Sequence, residues 1–152
     1  MKKTSIIGIA VLVLLIGVQL IRPSKINPPV QTEQDFLSIA EPPAEVAAIL
    51  TSACYDCHSH TTKYPWYTHV APVSWWINHH IEDGRKHLNF SVWSNYSAQK
   101  ADHKLEEIIE TVRNKEMPMV AYTWAHAGAR LSSEQRALLA DWTAAYRLNM
   151  QR

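Results

Sequence analysis

The chain has 152 residues, 19% of them charged, and a formal net charge of +1. That length suits one modest core and is too short for two ordinary domains. The balanced charge carries no polyanion footprint, which excludes nucleic acid as an expected partner. Six tryptophans and six tyrosines suit either a small core or the wall of a large flat cofactor.

The chain opens with Lys2 and Lys3, followed by an apolar run from Ile6 to Ile21. Val18, Gln19, Leu20, Ile21 and Arg22 offer no small-x-small cleavage site. No cysteine stands just after the run, which excludes a lipoprotein anchor. Residues 1–21 are therefore expected to be an N-terminal membrane anchor helix, with a cleaved export signal as the alternative. The run is at the short end of spanning length, and Thr4 and Ser5 extend it. Lys2 and Lys3 favour a cytoplasmic N-terminus, a bias that Arg22 and Lys25 weaken. Both readings put the globular part outside the cytoplasm.

Residues 22–43 hold Pro23, Pro28, Pro29, Pro42 and Pro43 and read as a stiff tether with a short helical turn around "EQDFLSIA". The domain is expected over 44–152. Val46, Ile49, Leu50 and Ala53 recur at helical spacing, placing the first cysteine near a helix end. A short helix fits "VSWWINHHIEDG", with Gly84 as its stop, and residues 85–96 read as an extended loop. A long helix fits "SAQKADHKLEEIIETVRNK", with Leu105, Ile108, Ile109 and Val112 as one apolar stripe, and Met117-Pro118 closes it. In "LSSEQRALLADWTAAYRL", Ser132 and Gln135 form a capping-box pattern, and Leu138, Leu139, Trp142 and Tyr146 make the buried face. With no alternating strand pattern, the expectation is an all-α domain with long irregular loops.

The only two cysteines stand in "CYDCH", residues 54–58. A thioredoxin-like dithiol needs a strand–helix unit that this chain does not offer. A structural zinc site needs four convergent ligands. The set Cys54, Cys57, His58 and His60 has adjacent members that converge poorly, and no second cysteine pair exists. A plain disulfide leaves the histidine unexplained. Haem c explains all three residues: Cys54 and Cys57 form thioethers, and His58 coordinates the iron.

For the sixth ligand, Met117 has the best local setting, in a loop after a long helix. Met119 and the adjacent pair His79-His80 compete with it. His60, His69, His87, His103 and His126 read as surface or propionate-side groups. Trp66 or Tyr67 is assigned to a haem propionate, with packing on the porphyrin edge as the alternative. Trp75, Trp76 and Trp93 extend that wall, Arg85 and Lys86 are candidates to neutralise a propionate, and Trp142 reads as core.

Residues 44–146 resemble the haem-binding domain family of bacterial c-type cytochromes. "CYDCHSHTTKYPWY", "APVSWWINHHIEDGRKHLNFSVW", Met117-Pro118 and "LSSEQRALLADW" carry the resemblance. The order of elements is also similar to a class I cytochrome c. The resemblance implies His58 as proximal ligand, Met117 as distal ligand, and a monohaem periplasmic domain tethered to the bacterial inner membrane. The section from Pro65 to Tyr96 is richer in aromatics than its counterpart in ordinary small cytochromes.

The expected function is one-electron transfer between redox proteins of the cell envelope, by a carrier rather than an enzyme. The alternative is a haem enzyme or a gas or redox sensor with an open, peroxidase-like distal site. A third reading is a structural or zinc-binding envelope protein. Nothing in the sequence fixes the oligomeric state.

Overall fold

The computed structural model describes residues 3–151, with side chains from residue 6 onward; Met1, Lys2 and Arg152 lie outside the described residues. Its helices are α1 (Lys3–Val18), α2 (Phe36–Ala40), α3 (Ala44–Ala53), α4 (Tyr55–His58), α5 (Val73–His87), α6 (Ala98–Arg113), α7 (Val120–Ala125) and α8 (Ser133–Met150). Short 3-10 turns cover Thr32–Gln34, Trp66–His69, Phe90–Asn95 and Ala127–Ala129. No strand occurs among the described residues, so the all-α expectation holds.

The expected membrane anchor does not. No helix among the described residues is long and apolar enough to cross a membrane. Helix α1 has 16 residues, about 24 Å at the α-helical rise, against a hydrocarbon core of roughly 30 Å. Just beyond it Gln19 faces the domain: its side chain donates to Ala71 O at 3.1 Å and accepts from Ala71 N at 2.9 Å. The transmembrane helix, the membrane as a partner through it and the single-pass inner-membrane location are corrected accordingly.

The core forms where the amphipathic stripes meet. Helices α6 and α8 pack along each other, burying Leu105, Ile108, Val112 and Leu139 together with Val46, Ile49 and Leu50 of α3. Ser97 caps α6 through Lys100 N. The Ser132–Gln135 capping box opens α8 as its sequence pattern predicts. Trp142 and Tyr146 pack against this core, with Leu138 beside them.

An aromatic cluster joins the core to the cysteine segment. Phe36 lies 4.5 Å from Trp93 and 5.3 Å from Phe90 between ring centroids. Tyr55, inside C-Y-D-C-H, stacks on Phe90 at 5.0 Å and donates its hydroxyl to Asp35 at 2.8 Å. Trp93 is therefore a core residue rather than part of a cofactor wall.

Two local expectations change. Helix α5 runs through Gly84 to His87 instead of stopping there. Residues 85–96 are not one extended loop, because α5 and a 3-10 segment over Phe90–Asn95 take most of them. The proline-rich stretch is also fastened to the domain. Asn27 donates to Thr62 O at 2.8 Å, Arg85 donates to Asn27 at 2.9 Å, and Lys25 lies 2.7 Å from His69 Nδ1.

Candidate functional site: the C-x-x-C-H turn and its cavity

Cys54 ends α3, and its carbonyl accepts from Cys57 N at 3.2 Å and His58 N at 3.0 Å. That single helical turn presents residues 54, 57 and 58 from one short segment. Both cysteines are free and half-buried. Burial pushes the Cys54 thiol up to about 12, with Cys57 adding to it. Burial and Asp56 raise Cys57 to about 11. A redox dithiol needs a lowered thiol, so this environment opposes that reading.

His58 is the best-held group of the motif. Its Nδ1 lies 3.0 Å from Gly84 O and 3.1 Å from Leu88 O. Carbonyls only accept, so Nδ1 carries the proton and Nε2 keeps a free lone pair. Burial lowers the His58 pKa, against the two carbonyl bonds that raise it. A neutral imidazole with its second nitrogen hydrogen-bonded to backbone is the state in which histidine ligates a metal.

Gly84 makes this possible. A Cβ at residue 84 would stand 2.9 Å from Cys57 O, closer than non-bonded atoms tolerate. Helix α5 can reach the cysteine turn only because that position is glycine.

Beside the turn lies an open-sided, largely apolar cavity, the kind of cleft in which cofactors are held. The walls come from Asp56 and Cys57, from Tyr67 after Pro65, from Trp76, Ile77, His80 and Ile81 of α5, and from Met119, Tyr122 and His126 around α7. Met119 is on the wall and Met117 is not. His80 is on it, with Nδ1 2.8 Å from Trp76 O, whereas His79 is not.

The aromatic residues separate. Tyr67 lines the cavity, and its hydroxyl lies 2.9 Å from His126 Nε2. Trp66 is 78% exposed. Trp76 lines the wall, while Trp75 donates to Ile21 O at 2.7 Å. Arg85 is engaged by Ser59 O, Asn27 and Thr62. His126, read from sequence as a surface or propionate-side group, stands in the cavity wall with Tyr122. The i, i+4 spacing of Tyr122 and His126 is the one sequence signal that points to them.

Among the described residues no group of three or more His, Cys, Asp or Glu could hold a bare metal ion. A porphyrin brings its own four nitrogens and asks the protein only for axial ligands. Two thiols, a histidine with Nε2 free and an adjoining apolar cavity fit covalently attached haem.

A helical domain built around C-x-x-C-H is thus a haem-binding domain. The chain belongs to the haem-binding domain family, whose sequence model matches residues 13–145. No curated protein and no solved structure matches it.

Proposed function

We propose that this chain is a periplasmic c-type cytochrome domain that carries single electrons between redox partners of the cell envelope. Cys54 and Cys57 would hold one haem by thioether bonds, and His58 Nε2 would be its proximal ligand. The observation that carries this reading is the pair of carbonyls, Gly84 O and Leu88 O, on His58 Nδ1. They fix the ring and its tautomer and leave Nε2 with a lone pair for iron.

The haem would supply a one-electron ferric/ferrous couple. Cys54 and Cys57 would attach it, the Gly84 and Leu88 carbonyls orient His58, and Ile77, Ile81 and Met119, which line the cavity, would keep water from the iron. For the second axial position the reading takes a sulfur from Met117 or Met119. Met117 is favoured by its order in the chain, and Met119 by its place on the cavity wall. Thioether ligation raises the potential relative to two histidines, which suits a carrier. Tyr67 is positioned for a propionate better than Trp66, because only Tyr67 lines the cavity.

The deciding experiment is an absorption spectrum of the protein exported and matured in cells that attach haem c. A covalent c-type spectrum with a long-wavelength sulfur–iron band, unperturbed by carbon monoxide after reduction, is expected. Ready binding of carbon monoxide supports the open-site enzyme or sensor instead. Absence of attached haem overturns the proposal.

A further inference from the structure

The wall opposite α5 is α7, and it has an unusual support. None of its six residues is buried, and a helix that short is not stable on its own length. Core packing therefore does not place it. Two side-chain contacts across the cavity do. Tyr122 OH donates to Asp56 Oδ2 at 2.7 Å, joining α7 to the cysteine turn. Tyr67 OH donates to His126 Nε2 at 2.9 Å, joining the end of α7 to the Trp66–His69 turn.

The two contacts are linked. His126 Nδ1 lies 3.0 Å from Tyr122 O and so carries the ring proton, leaving Nε2 to accept from Tyr67. The Tyr122 and His126 rings stack at 3.9 Å and 19°. Asp56 is itself held, with Lys63 N donating to Oδ1 at 3.1 Å. Tyr122 OH also lies 3.4 Å from Ser52 O of α3, next to the cysteine turn, while the Arg130 bonds to Thr123 O and Trp124 O come from the segment that follows α7. Asp56, Tyr67, Tyr122 and His126 all line the same cavity as Met119, the residue that begins α7.

We propose that Asp56 and Tyr122, seconded by Tyr67 and His126, are positioning residues that set α7 and Met119 against the haem face and so control access to the iron. The proposal rests on the haem reading above. It gives the aspartate between the two cysteines a task that attachment chemistry does not require: coupling the attachment turn to the far wall of the cavity.

The test uses the full chain, exported and matured with haem c, as the parent, Tyr122→Phe, Asp56→Asn, the double variant and Tyr67→Phe. Haem retained on a denaturing gel reports attachment. In the parent the gas is expected to enter only on long exposure, too slowly to perturb the spectrum at first, and that slow rate of carbon monoxide binding to the reduced protein reports how firmly the wall closes. Tyr122→Phe and Asp56→Asn are expected to bind the gas roughly tenfold faster or more, the scale of one hydrogen bond to a charged group. The double variant is expected to be no faster than Tyr122→Phe, because that change already removes the bond from which Asp56→Asn takes only the charge. Tyr67→Phe is expected to accelerate binding independently.

Rates equal to the parent in Tyr122→Phe and Tyr67→Phe, with covalent haem present, overturn this proposal and leave the haem reading standing. A parent without covalent haem overturns both. If Asp56→Asn matures without haem, the two tyrosine variants decide the outcome, since each loses only a hydroxyl.

Discussion

Gly84 and Cys57 are in backbone contact: a Cβ on residue 84 would sit 2.9 Å from the Cys57 carbonyl oxygen and 3.4 Å from its carbon. Through that contact a helix interior meets the cysteine turn, and Gly84 O reaches His58 Nδ1. Glycine costs helix stability relative to alanine, by about 1 kcal/mol, and here the close approach offsets that cost.

Gly84→Ala is therefore expected to destabilise the folded protein by about 1–3 kcal/mol, as overpacking against rigid backbone does, despite the higher helix propensity of alanine. Chemical denaturation of parent and variant checks this. An unchanged or raised midpoint would show that α5 can retreat from Cys57 freely. The yield of haem-bearing protein should fall with stability.

Sulfur ligation is tested by replacing Met117 and Met119 with alanine, singly and together. The double variant is expected to lose the sulfur–iron band and to bind carbon monoxide when reduced, and the single variants then identify the sulfur. Survival of a closed spectrum in the double variant moves the axial role to His80, the member of the histidine pair that lines the cavity.

The thiols give a pH-dependent prediction. With Cys57 at about 11 and Cys54 at about 12, little thiolate exists near neutrality. Alkylation of the folded, haem-free protein is expected to be slow at pH 7 and to rise by about tenfold per pH unit, since the thiolate is the reacting species. Rapid modification at pH 7 would restore the redox dithiol.

Asp102 ties α6 to α8. Arg147 Nε and Nη2 donate to its two oxygens at 2.7 and 2.9 Å, and these bonds hold its pKa below the ordinary 3.8. A depressed carboxylate pKa means that the unfolded chain binds the proton more readily, so the contribution is full above 3.8 and is lost as pH falls through the folded value. Parent and Asp102→Asn should therefore differ most in stability near neutral pH and converge in strong acid. A gap independent of pH would contradict the ion pair.

What the sequence discloses follows from how far each signal reaches along the chain. Leu105, Ile108 and Val112, like the Ser132–Gln135 box, are patterns within one helix, and they read directly into α6 and α8. The cysteine motif is equally local. Gly84 misleads because its role is a contact across 27 residues of sequence (84 − 57), which looks from the chain like a helix stop. Helix α7 spans too few residues to show a period, so His126 cannot be told from the sequence as a surface group or a propionate-side one. The apolar N-terminal run reads as long enough to span a bilayer, yet Gln19 leaves it to bond Ala71 across 52 residues, a partner no window over the run contains.

The bond from Asn27 to Thr62 closes a ring across 35 residues, and Arg85 locks it by donating to Asn27, Thr62 and Ser59. The whole C-x-x-C-H turn lies inside that ring. In polymer terms, the loop-closure entropy is already spent once the strand-like segment around Asn27 is seated. A pull on the N-terminal end of the chain would accordingly load the Gln19–Ala71, Ile21–Trp75 and Asn27–Thr62 bonds before it reached the cysteines, so bonds outside the attachment turn shelter it from mechanical strain.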